Sequence, residues 1–219
     1  MNTLLTFWRS TIGKKVVMGV TGLIGLGFTI GHMAGNLQTF AGAEKLDAYG
    51  ALLHGPLHEV VLISRVVLIT AVILHVVAAY QLTMLSRAAR PVDYAVRKPQ
   101  VSTLASRTLR WGGVLLLVFI VFHILHFTVG SVHPDFVEGR IYRNLQTGFA
   151  VKWVAVFYLV AMIALGMHLF HGAWSSMRTL GLAQQKAHPI KRYLPVVLAV
   201  VISSGFAAIP LAFLLGVLN

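Results

Sequence analysis

Six histidines lie inside long apolar stretches of this chain: His32, His75, His123, His126, His168 and His171. An ionisable side chain in hydrocarbon costs on the order of a few kcal/mol, so such residues are kept for a use. Four separate stretches each carry at least one of them. Histidines repeated across a helical bundle can share a ligand, and haem iron is the leading candidate. Two imidazoles on opposite faces of one haem fill both axial positions and leave no site for oxygen or substrate. The chemistry implied is electron transfer.

These side chains need a scaffold, and composition says which kind. The chain has 219 residues, is 57% hydrophobic and only 11% charged. A soluble domain carries about 25% charged residues. The net charge of +12 raises a nucleic-acid partner, but the basic residues lie between apolar runs, where membrane topology signals sit, so no nucleic acid is expected. Absence of cysteine excludes disulfides, thiolate catalysis, c-type haem attachment and an iron–sulfur cluster held by this chain alone. The first apolar run, from Val16 to Ala34, is too long for a typical signal-peptide core and lacks a clear small-residue cleavage site. It reads as an uncleaved span.

Five segments have the roughly 20 residues needed to cross a bilayer, near 15–37, 57–86, 110–131, 149–175 and 193–218. The expected fold is all-α: a polytopic membrane protein, a five-transmembrane-helix bundle forming one membrane domain over residues 1–219. Charge alternates between its connections. Arg9, Lys14 and Lys15 precede the first span. Arg87, Arg90, Arg97, Lys98, Arg107 and Arg110 surround the second connection with one acid, Asp93, and Arg178, Lys186, Lys191 and Arg192 the fourth. The other connections, 38–56 and 132–148, hold Lys45, Arg140 and Arg143 against Glu44, Asp47, Asp135 and Glu138. The positive-inside rule then puts the N-terminus in the cytoplasm and the C-terminus outside, in the cytoplasmic (inner) membrane. Gly19, Gly22, Gly25, Gly27 and Gly31 in the first span suit close helix packing, or room for a flat macrocycle. Pro91, Pro99, Pro134 and Pro189 read as loop breakers, and Pro210 as a kink in the fifth span.

Helical rise converts position into depth. From the expected span starts, His32 and His123 lie about 25 and 20 Å outward, and His75 and His168 about 27 and 28 Å inward. The first two fall in the outer half of a core about 30 Å thick and the second two near its inner face. Two pairs at two depths suit two stacked bis-histidine haems. His126 and His171 follow His123 and His168 by three residues and share a face with them, so helical geometry leaves the ligand open on both helices. His54, His58, His133 and His188 fall in connections and read as solvated.

The chain resembles the five-helix, single-anchor class of diheme cytochrome b subunits of succinate dehydrogenase and fumarate reductase. The resemblance spans nearly the whole chain: Ser10-Thr-Ile-Gly-Lys-Lys15 with Thr21-Gly22, Gly31-His-Met-Ala-Gly-Asn-Leu37, Ala89-Arg-Pro-Val92, Ser106-Arg107-Thr108, His123-Ile-Leu-His-Phe-Thr128, Gly166-Met-His-Leu-Phe-His-Gly172 and Ile209-Pro210. It implies axial ligands at His32, His75, His123 and His168. His75 would pair with His168 on the haem near the cytoplasmic subunits, and His32 with His123 on the distal one. It implies two haem b groups, a flavoprotein subunit, an iron–sulfur subunit, and a membrane quinone, menaquinone in most of this class. It places the protein in the respiratory chain and the tricarboxylic acid cycle, with no dicarboxylate activity of its own.

Three further residues draw attention. Arg65, about 15 Å outward from His75 along one helix, needs an anion, and a distal haem propionate would serve. Arg178 could serve the inner haem in the same way, though it doubles as a topology signal. Glu59, at the outer start of the second span, and His126 are candidates for proton exchange with the quinone. The alternatives are a diheme anchor of another respiratory dehydrogenase and, in a different class, a transporter using histidines for protons or metal ions. A transporter would more often show half-repeats or several intramembrane carboxylates, and the sequence shows neither.

Overall fold

The computed structural model describes residues 3–89, 104–181 and 189–218, with side chains from Tyr193 in the last stretch. Arg90, Pro91, Asp93, Arg97, Lys98, Pro99, Lys186 and His188 lie outside the described residues. Among the described residues, eight α-helices run in order: α1 (Thr3–Arg9), α2 (Thr11–Asn36), α3 (Ala43–His54), α4 (His58–Ala88), α5 (Leu104–Phe127), α6 (Ile141–Ala150), α7 (Lys152–Thr179) and α8 (Pro189–Leu214). A 3-10 turn, Leu37–Ala41, joins α2 to α3. There is no strand among the described residues. Helices α2, α4, α5, α7 and α8 are long and apolar enough to cross a membrane, so the chain is a multi-pass membrane protein. Only a helix or a closed barrel satisfies every backbone group in hydrocarbon.

Local chemistry explains several boundaries. Ser10 Oγ accepts from Gly13 N at 2.8 Å and caps the start of α2. Lys14 Nζ turns back to donate to Trp8 O at 2.8 Å and Arg9 O at 3.0 Å, capping the end of α1. Helix α5 starts at Leu104, six residues before the expected 110, so Arg107 and Arg110 sit in its first turns rather than in a loop. Pro189, expected in a loop, opens α8. Proline suits a first helical turn, where its missing N–H would have no partner anyway. Pro210 lies inside a helix that continues past it.

We call outer the end of the bundle that carries connections 38–56 and 132–148, and inner the opposite end; the two outer connections are not plain loops. They hold α3 and α6, whose polar faces hide them from any hydropathy window of membrane length. Asn144, Leu145, Gly148 and Phe149 form the buried face of α6. Asp47 on α3 accepts from Tyr142 N at 3.0 Å, at the start of α6. Asn144 clamps the preceding segment, accepting from Val137 N at 2.9 Å and donating to Val137 O at 2.8 Å. These pieces close the outer end over a core of Leu46, Leu145, Phe149, Val154, Ala155, Tyr158 and Ile209.

Packing is uneven. Helix α7 packs against α8, α5 and α2, and α2 also packs against α4. Among the described residues, α4 makes no extensive contact with α5 or α7. Only 6% of the apolar window of α4, and of α5, is buried inside the protein, against 33% for α7. The space left between α2, α4, α5 and α7 positions the candidate site.

Candidate cofactor-binding site

That space is one cavity of about 3190 Å³. Ordinary small-ligand pockets run to about 1,000 Å³, so it is several-fold larger. His32, His75, His123, His168 and His171 line it. Gly25, Gly27 and Gly31 line it too, and a Cβ at any of the three would meet nothing within 4 Å. Their missing side chains widen the cavity. Gly19 instead packs on Ser176, where a Cβ would lie 3.7 Å from the hydroxyl.

The four long helices bring the histidines together in twos. The rings of His75 and His168 have centroids 6.1 Å apart, with planes at 55°. Those of His32 and His123 are 5.8 Å apart, with planes at 82°. Thr21, which contacts His75, and His32 are both on α2, eleven residues or about 16 Å apart along the axis, so the pairs sit at separate levels. Among the described residues, no three His, Cys, Asp or Glu side chains gather where they could hold a metal ion.

At the inner level, Thr21 Oγ1 lies 3.2 Å from His75 Nδ1. The same hydroxyl reaches Val17 O at 2.7 Å, to which it must donate. Its oxygen therefore accepts from His75 Nδ1–H, which leaves Nε2 as the basic nitrogen of that ring. Gly22 sits under the ring, where a Cβ would lie 3.4 Å from Cε1. His168 Nδ1 is buried with no partner, so Nε2 is the nitrogen that can face the cavity.

At the outer level, His32 stacks on Phe28 at 5.1 Å and lies 5.7 Å from Phe206. Asn36 Nδ2 donates to His32 O at 2.8 Å and lies 3.3 Å from both ring nitrogens. His123 stacks on Phe119 at 5.7 Å, and its Nδ1 is 3.3 Å from the hydroxyl of Tyr158.

No family model, curated protein or solved structure matches the chain.

The two positions that helical spacing left open separate by environment. His123 lines the cavity; His126 does not and is 0% exposed. His171 lines the cavity, but it is the ring of His168 that stands opposite His75. Two imidazoles on one metal lie about 2 Å from it through nitrogen, and each ring centre lies about 1 Å beyond, so their centroids stand about 6 Å apart. Both observed spacings fit that requirement. With the cavity's size and the open glycine strip, the residues present fit a flat macrocyclic cofactor at each level.

Charged residues divide between the ends. Arg65 lines the cavity and has no carboxylate within ion-pair distance among the described residues. Lys15, Arg87, Arg107 and Arg110 line its inner end, which Arg178 does not. Glu59 points away: its side chain is 83% exposed, it pairs with His58 at 3.8 Å, and it does not line the cavity. His54 and Glu138 do line it, towards the outer face. Tyr158 carried no mark in the sequence beyond the apolar pattern, and Thr21 stood out only beside Gly22 in the resemblance, because a lone hydroxyl on a helix shows its partner only once the neighbouring helix is in place.

Proposed function

We propose that this chain is the membrane-anchor cytochrome b subunit of a succinate:quinone oxidoreductase. In this reading it carries electrons through two bis-histidine b haems between an iron–sulfur subunit and a membrane quinone, menaquinone. The observation that carries it is the pairing of four histidines from four helices across one cavity, at ring spacings of 5.8 and 6.1 Å.

Haem b would supply one-electron transfer there. The chain's part is to hold and orient. His75 and His168 would hold the inner haem, with the His75 tautomer set by Thr21. His32 and His123 would hold the outer one. Arg65 would meet a propionate of the outer haem, since an unpaired guanidinium in a membrane span needs an anion. Lys15, Arg87 and Arg110 would serve the inner propionates. All the basic residues at the ends of α2, α4, α5 and α7 named above fall at one end of the bundle, which we place in the cytoplasm, beside the flavoprotein and iron–sulfur subunits. The two histidine pairs would then hold carriers at the two levels between which electrons would pass. The electron-carrier reading predicts sharp b-type bands in a dithionite-reduced minus oxidised spectrum, two haems per chain by pyridine haemochrome, and co-purification with a flavoprotein. One haem or none in intact protein would overturn it. Two haems without a flavoprotein partner would move the chain to a different dehydrogenase.

A further inference from the structure

His126 has no role in the reading above. It is fully buried, does not line the cavity, and its Nε2 has no hydrogen-bond partner. Its Nδ1 lies 3.1 Å from the Tyr158 hydroxyl, which lies 3.3 Å from His123 Nδ1. A buried polar group in this position is costly unless it serves something.

We infer that Tyr158, oriented by His126, is the positioning residue of His123 and sets the electron-donating strength of that axial imidazole. The inference rests on His123 being a haem ligand. A His123 that binds iron through Nε2 keeps its proton on Nδ1 and must donate it. Tyr158 O is the acceptor in reach. A tyrosine hydroxyl has one hydrogen, and the remaining partner is His126 Nδ1, so Tyr158 donates there. The chain of bonds has one direction: His123 Nδ1–H to Tyr158, and Tyr158 O–H to His126. His126 then carries its own proton on Nε2.

The surroundings hold this arrangement in place. Tyr158 is 6% exposed and contacts Phe119, Phe122, Phe127, Phe149 and Phe157. His126 stacks on His133 at 4.8 Å. His133 is fixed at both nitrogens: Nε2 donates to Asn144 O at 2.9 Å, and Nδ1 accepts from Asp135 N at 3.0 Å. On α6, Gly148 has no side chain because a Cβ there would stand 2.9 Å from His126 Cε1 and 3.1 Å from its Nε2. The α6 cap therefore presses on His126, His126 on Tyr158, and Tyr158 on His123.

An acceptor on Nδ1–H makes an axial imidazole a stronger donor and favours ferric iron. The test is redox titration of the haem bands in the full-length protein purified with its native partners. Tyr158→Phe keeps the ring and removes only the hydroxyl. It should keep both haems and shift the outer component, the one lost in His123→Ala, to a higher midpoint potential, leaving the inner one unchanged. His126→Leu should shift the same component in the same direction by less, and His126→Gln, which retains an acceptor, should restore it in part. The low-spin ferric EPR signal of the outer haem should move in Tyr158→Phe. Wild-type protein with two haems and a Tyr158→Phe variant whose outer potential and EPR signal are unaltered would overturn this inference and leave the haem reading standing. Wild-type protein without b haem would overturn both.

Discussion

The outer and inner histidine pairs have nearly the same ring spacing and very different surroundings. The outer pair is boxed by Phe28, Phe119, Phe206 and the ring of Tyr158, and roofed by α3, α6 and the hydrogen-bonded segment before α6. Among the described residues, the rings of His75 and His168 contact no aromatic ring except each other. His75 bonds to Thr21, and the inner end of the cavity is lined by cations. A histidine pair is thus built twice, once in an aromatic, internally clamped shell and once in an open, basic one. Burial, hydrogen bonds to the ligands and nearby charge are the levers on haem potential. The two levels differ in the hydrogen bonds to the histidines and in nearby charge, so two chemically identical haems would titrate apart.

Breaking the pairs gives the largest effect. His75→Ala and His168→Ala should each remove the same haem, halving the pyridine haemochrome value, and His32→Ala and His123→Ala should remove the other. If two variants of one pair lost different spectral components, the two-level picture would fail.

Next comes the roof. In Gly148→Val a side chain is forced against His126 and His133, with overpacking worth about 1–3 kcal/mol. The thermal midpoint should fall and the outer component should broaden or shift, with the inner one unmoved. Equal disturbance of both haems would show that the α6 cap does not act on the outer level alone.

Thr21→Val should be milder. It deletes one hydrogen bond worth about 1 kcal/mol and should raise the potential of the inner component, while Thr21→Ser should behave as wild type. A shift in the outer component would mean that Thr21 does not act on the inner level alone.

The smallest change is expected for His171→Ala, which should keep both haems with both potentials near wild type. Loss of the inner haem in this variant, with His168→Ala retaining it, would move the ligand on α7 by one turn.

Much of the scaffold was readable from the chain. Five apolar runs fall within a few residues of five helices, because a span must be about 20 residues of continuous hydrophobicity, and hydropathy is local. The grouping of His32 with His123 and His75 with His168 followed from counting rise along each helix, which needs no tertiary information. Other features depended on contacts between helices distant in sequence. Helical spacing could not separate His123 from His126, since both share a face; the structure turns one to the cavity and seals the other beneath Gly148. Glu59 looked suited to a proton and faces away, because rotation about the helix axis is set by packing and not by depth. The hydroxyls of Thr21 and Tyr158 meet their histidines across 54 and 35 residues of chain, and α3 and α6 are held by faces too short and too mixed to register as apolar runs. Sequence alone determined which segments are long apolar helices and how far along its helix each histidine sits. Only the folded bundle decided which way each side chain points, because direction follows from the neighbours a helix packs against.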